Sequence, residues 1–447
     1  MKTFLDGYFK LSEKGTTVKK ELIAGVITFL TMSYALIVNP SILSETGMDK
    51  EALFTGTALA IIFATFLMGI FAKLPIAQGP GMGLNSFFAF SVVLGLGYSW
   101  QFALTAVFIE GIIFILLTFL NIREMIVKSI PKVLKEAIPV GIGLFITLIG
   151  LKGANIIVSD PNTFLALGDF KMHSVWIAFA GLFVTAVLHS RNINGSILAG
   201  IVVSTVFSYL LGDINLPKSF VSMPPSIKPI FGKAIEPMFS SEGWDKIFSV
   251  DMLIVVFTFL FVNLFDTIGT LIGVVSKLGL TDEEGNFPQM KKALFSDALG
   301  TTVGAILGTS TITSYVESAS GVASGGRTGL TALSTAFMFV LALFLAPIFL
   351  LVPAAATAPA LIIVGLFMIS SVVKIDFSDV TEGLPAFLTI IFMPFTFSIA
   401  EGIVFGMLSF TFLKVFGGRY KEVTPTVYIV SLLFLIKIVL DAAHVIG

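Results

Sequence analysis

The chain has 447 residues, 56% of them hydrophobic and 12% charged, with a net charge of −1 and a mean hydropathy of +0.99. A soluble protein carries roughly a quarter of its residues as Asp, Glu, Lys or Arg. This composition therefore places the chain in a lipid bilayer, and the near-neutral charge leaves no footprint for nucleic acid.

Cysteine is absent, which excludes disulfides, iron–sulfur clusters and thiolate catalysis. His173, His189 and His444 stand far apart and form no metal-ligand set, so neither a metal nor a cofactor is expected. With no His cluster, no Cys nucleophile and no soluble catalytic domain, an enzyme is not expected either.

A polar, Lys-rich stretch opens the chain from Met1 to Glu21. The apolar run from Leu22 to Val38 is too long for the core of a cleavable leader. Apolar stretches lie at residues 20–39, 52–72, 76–97, 101–120, 133–151, 174–190, 193–211, 250–274, 291–307, 309–325, 329–352, 357–373, 384–399 and 401–416. Each is close to the length that crosses ~30 Å of hydrocarbon at ~1.5 Å per residue. The expectation is an all-α polytopic membrane protein of about fourteen transmembrane segments.

Charge in the loops sets the topology. Basic residues follow the even-numbered spans: Lys73; Arg123, Lys128, Lys132 and Lys135; Arg191; Lys277, Lys291 and Lys292; Arg327; Lys374; and Lys414, Arg419 and Lys421. Loops 98–100, 353–356 and 398–401 carry no Lys or Arg. The positive-inside rule then puts both termini in the cytoplasm and the Pro-rich loop 212–249 outside.

That loop separates seven spans in residues 1–211 from seven in 250–420. Halves with an odd number of spans must be inverted relative to each other. Residues 421–447 stand apart. Thr426 to Ile446 is apolar but holds Lys437, Asp441 and His444. It reads as an amphipathic helix lying on the membrane, with a fifteenth span as the other reading.

The third span of each half is broken. One reads LPIAQGPGMGLNSFFAF, and the other runs from Gly308 to Thr331, GTSTITSYVESASGVASGGRTGLT. Gly, Pro and hydroxylated residues favour irregular backbone, which membranes tolerate only inside protein or along a cavity. Broken segments at corresponding positions of two halves point to a transport site.

The first segment predicts a half-helix from near Leu84. Asn85 there either caps it or reads a ligand edge with its donor and acceptor. In span eight Asn263, Asp266, Thr267 and Thr270 share one helix face, with Asp266 near mid-membrane. A carboxylate at that depth is costly, which leaves a functional role or a hydrogen-bonded network between helices.

Glu317 is the second deep carboxylate, among Thr313, Ser314, Ser318 and Ser320. Two such acids with no basic partner in the membrane suggest proton-linked chemistry. Glu110, Asp297 and Glu401 read as structural or interfacial. Phe87, Phe88 and Tyr34 are candidate stacking partners for a flat ligand. GVASGGRT, residues 321–328, approaches a phosphate-binding loop but has Arg327 for the required Lys and no preceding strand of a soluble domain.

QGPGMGLNSFFAF, FVNLFDTIGTLIGV, EEGNFPQMKKALFSDALGT and SYVESASGVASGGRTGLTAL together resemble the azaguanine-type hypoxanthine/guanine/adenine permeases. That family is the purine branch of the nucleobase–ascorbate transporters. The resemblance runs from about residue 3 to about residue 420, with Ser86 where the family usually has Ala.

It implies a seven-plus-seven inverted fold with a core of spans 1–4 and 8–11 and a gate of spans 5–7 and 12–14. It also implies short strands with half-helices in spans three and ten, and homodimers through the gate domain. The implied activity is proton-coupled purine uptake, with Glu317, Asp266 and Asn85 at the base. The residues themselves add Ser314, Phe87 and Tyr34 as candidates beside it. Asp266 and Glu317 are the implied proton-coupling groups. The alternative is an anion carrier of the sulfate or bicarbonate type with the same architecture.

Overall fold

A computed structural model describes residues 2–120, 131–161, 163–217, 219–280 and 287–446. Arg123 and Lys128 of the basic loops, and Glu283 to Asn286 of the third family motif, lie outside these residues.

The first half contains α1 (Lys2–Phe9), α2 (Val18–Met32), α3 (Ala35–Ser44), α4 (Lys50–Leu67), β1 (Gln78–Pro80), α5 (Met82–Ser86), α6 (Trp100–Phe119), α7 (Lys132–Gly153), β2 (Ile157–Asp160), β3 (Phe164–Leu167), α8 (His173–Ser190) and α9 (Ser196–Leu210). The second contains α10 (Ser241–Ile247), α11 (Val250–Ser276), α12 (Met290–Ile306), β4 (Ile312–Ser314), α13 (Ser318–Ala323), α14 (Gly329–Leu343), α15 (Ala346–Leu350), α16 (Ala354–Ile369), α17 (Val380–Phe395), α18 (Ile399–Phe416) and α19 (Pro425–Ile446).

Polar caps start many of these helices. Thr17, Asp49, Ser249, Thr328, Asp379 and Ser398 each accept a backbone N–H of the first turn. Two helices pass through π-helical turns, Met68–Ala72 after α4 and Phe87–Gly95 after α5.

Among the described residues, eight helices are long and apolar enough to cross a membrane, and five shorter apolar helices accompany them. Every stretch marked from hydropathy contains such a helix, α12, or a strand with a half-helix. The β2–β3 hairpin, paired antiparallel from Ile157↔Leu167 to Asp160↔Phe164, lies outside the all-helical expectation.

The chain divides into two compact units, residues 1–119 with 149–363, and residues 120–148 with 364–447. The first holds both broken segments. It also holds α8 and α9, where Val175 and Ala178 pack against Ala154, Ile156 and Ala358. The second holds most of α7, the end of α16, and α17 to α19. Residues 425–446 form one helix, joined to α18 by a Ser431–Thr411 hydroxyl contact of 2.7 Å.

Loop 212–249 is a packed cover within the first unit. Thr55 Oγ1 donates to Pro225 O at 2.9 Å, Thr105 Oγ1 to Ala234 O at 2.9 Å, and Gly232 N to Ile306 O at 2.8 Å. Ile230 is fully buried over Gly308. Gly308 has φ +85°, and a Cβ there would come within 2.6 Å of Ile230 Cβ, so only glycine fits.

Candidate functional site

The two broken segments meet. β1 pairs antiparallel with β4, in the register Gln78↔Ser314, Gly79↔Thr313 and Pro80↔Ile312. The pairing is extended by Gly81 N to Thr311 O at 3.1 Å and Tyr315 N to Ala77 O at 2.9 Å. Each strand has three residues because Gly and Pro on one side and Gly, Ser and Thr on the other do not continue a helix.

Pairing satisfies backbone groups that hydrocarbon could not. Thr65 completes β1, accepting from Gln78 N at 3.0 Å and donating to Gln78 O at 3.1 Å. Thr301 does the same for Ile312 of β4.

The interior acids sort into two kinds. Glu110 and Asp297 are fully buried and serve as acceptors. Glu110 takes Asn263 Nδ2 at 2.8 Å and Thr311 Oγ1 at 2.7 Å. Asp297 Oδ1 lies 2.9 Å from Thr267 Oγ1, and Asn263 Oδ1 lies 3.0 Å from it, the two acceptors sharing one hydroxyl. These bonds tie α6, α11, α12 and the approach to β4 into one frame.

Asp266 and Glu317 are half-buried and keep accessible surface. Asp266 lies beside β4, hydrogen-bonded by the Thr313 hydroxyl. A Cβ on Gly81 would come within 3.3 Å of Asp266 Oδ2 and 3.0 Å of Thr313 Cγ2, so glycine here lets the strand approach the carboxylate. Glu317 precedes α13, and Tyr34 Oη donates to its Oε1 at 2.6 Å. The two carboxylates are near enough to interact electrostatically.

The helix face read from span eight is thus divided. Asn263 and Thr267 belong to the buried network, while Asp266 faces β4. Asn85 does not cap the half-helix: α5 starts at Met82 with Gly81 at its N-cap, two residues earlier than expected, and Asn85 N donates to Gly81 O. Asn85 is fully buried, and its Oδ1 accepts from the Ser310 hydroxyl, tying α5 to the segment before β4.

Ser314 is 2% exposed and lies 3.5 Å from Gln78 Nε2. Phe87 is buried edge-on to Phe259, ring centroids 4.9 Å apart. Tyr34 enters the site through its hydroxyl. GVASGGRT ends α13, where Arg327 Nη1 donates to the carbonyls of Val322 and Gly326.

Two roles lie beyond the sequence pattern. Strand alternation points Thr313 rather than Ser314 toward Asp266. Glu21 was counted with the polar N-terminus, yet it is fully buried at the start of α14. It accepts from Arg327 N, Thr328 N, Thr328 Oγ1, Thr331 N and Thr331 Oγ1. Carboxylates favour helix N-termini, but only the fold brings residue 21 to residue 328.

A model described as the permease family matches residues 19–405. The chain is 46% identical to the adenine permease AdeP of Escherichia coli strain K12, over 98% of this chain and 97% of that one. It is 43% identical to the guanine/hypoxanthine permease PbuG of Bacillus subtilis strain 168, over 98% and 99%.

Among solved structures, the transmembrane domain of the cyanobacterial bicarbonate transporter BicA superposes with a TM-score of 0.62 at 17% identity, covering 88% of this chain and 97% of that one. SLC26A9 gives a TM-score of 0.62 at 11% identity, over 90% and 66%. At these identities the likeness is one of fold.

Proposed function

Because this chain belongs to the permease family, in its hypoxanthine/guanine/adenine branch, we propose that it imports purine bases with protons across the cytoplasmic membrane. Guanine and hypoxanthine are the preferred substrates in this reading, with adenine a further one. Both termini are cytoplasmic, loop 212–249 is external, and the core moves against the gate to alternate access. The protein is a transporter and not an enzyme.

The observation that carries the proposal is the contrast among the interior acids. Glu110 and Asp297 are fully buried and hydrogen-bonded within the frame, whereas Asp266 and Glu317 keep accessible surface beside the paired strands. A neutral purine offers ring N–H donors, and a carboxylate is a strong acceptor for them. Glu317 takes a ring N–H, Asp266 carries the proton, and Asn85 orders the half-helix behind them. Thr313 suits that division. Its hydroxyl can donate to an ionised Asp266 and accept from a protonated one.

The alternative is an anion carrier of the same architecture, on which a likeness of fold alone does not bear. Among the described residues, however, the charged side chains meeting β1 and β4 are acids, which repel an anion. Uptake of labelled hypoxanthine in a purine-transport-deficient host tests the proposal. Competition by guanine and adenine, with none by sulfate or bicarbonate, is expected, and the reverse pattern overturns it. Cysteines introduced at Ser226 and Gln289 test the topology: an impermeant reagent should label the first from outside and not the second.

A further inference from the structure

Span one makes a turn beside the site without leaving helical backbone: α2 ends at Met32, α3 begins at Ala35, and Tyr34 occupies the junction. Tyr34 is 2% exposed, and its phenol donates to Glu317 Oε1 at 2.6 Å. Besides this phenol, the Glu317 carboxylate meets its own backbone N–H.

The junction and α13 are packed as one piece. A Cβ on Gly321 would collide with Thr28 Oγ1 and come within 2.9 Å of Ala24 O. Thr31 Oγ1 reaches Glu317 O at 3.5 Å. The titratable groups facing Glu317 are Tyr34 from span one, Asp266 from α11 and Tyr315 from its own segment. Tyr315 is committed elsewhere, donating to Pro80 O at 2.6 Å.

We propose that Tyr34 is a positioning residue that acts through Glu317, its phenol holding the carboxylate in one orientation as the acceptor for substrate. This rests on the purine reading above and replaces a stacking role for the ring. Fixing a flexible carboxylate before the ligand arrives removes an ordering cost from binding. A donor to a carboxylate also favours its ionised, accepting form. Without the phenol, protonation competes with ligand more strongly as pH falls.

Binding of labelled hypoxanthine to the purified full-length protein, from acid to mildly alkaline pH, tests this. Tyr34→Phe keeps the ring and removes the donor. It should weaken binding roughly ten- to a hundredfold at acid pH, with a deficit that narrows as pH rises. Normal binding by Tyr34→Phe at every pH overturns the proposal.

A second pair guards against misfolding. Tyr34→Gln and Tyr34→Leu both lose the ring, but only Gln can donate. Tighter binding by the Gln variant supports donation, and equal binding contradicts it. If wild-type protein binds no purine base in the same assay, the functional reading itself falls and this proposal falls with it.

Discussion

Thr313 and Ser314 are adjacent on β4 and serve opposite sides of it: the Thr313 hydroxyl bonds Asp266, and Ser314 Oγ meets the Gln78 amide. Thr313→Val preserves shape and removes the hydroxyl from the acid. It should lower hypoxanthine uptake about tenfold or more, the effect of one hydrogen bond to a charged group, while leaving the melting temperature in detergent unchanged. Ser314→Ala should do the opposite, leaving KM unchanged and lowering stability by about 1 kcal/mol or less. A raised KM in Ser314→Ala with normal uptake by Thr313→Val would reverse the assignment.

That alternation marks the boundary of what the sequence could reveal. Hydropathy located the spans because crossing hydrocarbon demands a nearly fixed apolar length. Gly79, Pro80, Gly81 and Gly308 mark the broken segments because clustered Gly and Pro favour irregular backbone. Asp266 and Glu317 stood out because deep acids are rare.

The sequence reads Glu110 and Asp297 as structural or interfacial but does not name what holds them. Asn263, Thr267 and Thr311 reach them only once the fold has formed. Glu21 was overlooked for the same reason, since its donors lie some 300 residues away in sequence.

Glu21 locks the start of α14 to α2. Five donors converge on its carboxylate. Glu21→Ala leaves them buried without an acceptor, which should cost about 3 kcal/mol or more. The expected result is a lower melting temperature in detergent and reduced membrane yield. Glu21→Gln retains an acceptor oxygen and should fall between the two. A Glu21→Ala protein that melts with the wild type would show that the bonds contribute nothing net.

The second unit carries an acid-sensitive clasp. Arg419 bonds Asp379 and Glu422, and Lys414 Nζ reaches Glu422 Oε2 at 2.7 Å. The Arg419 bond, followed by that of Thr381, draws the Asp379 carboxyl down to about 2 from an ordinary 3.8. Glu422 is lowered as well, by Lys414 and then Arg419.

For an acid whose folded value is depressed, the stabilisation is complete above the unfolded value and fades as pH falls toward the folded one. The clasp is therefore intact at neutral pH and weakens from about pH 4 downward. Asp379→Asn should flatten the acid limb of the melting-temperature profile in detergent. Because Arg419 is exposed and Asp379 is only partly buried, high salt should shrink the difference. An acid limb identical in wild type and variant would remove Asp379 from that transition.

In the proposed function, proton coupling separates the two accessible acids. A carboxyl group in low dielectric resists ionisation unless it is paired, and Asp266 has a hydroxyl partner that serves either protonation state. A neutral purine brings no charge, so entry with one proton is electrogenic and draws ~2.3 kcal/mol per 100 mV.

Asp266→Asn cannot exchange a proton. It should abolish accumulation driven by a pH gradient in proteoliposomes while retaining downhill exchange of labelled hypoxanthine. Glu317→Gln replaces a charged acceptor with a neutral amide, so it should weaken binding itself by roughly ten- to a hundredfold and depress exchange and accumulation alike. Concentrative uptake by Asp266→Asn on a pH gradient would move the proton site elsewhere. Accumulation by wild-type protein on a sodium gradient alone would rule out the proton as the driving ion.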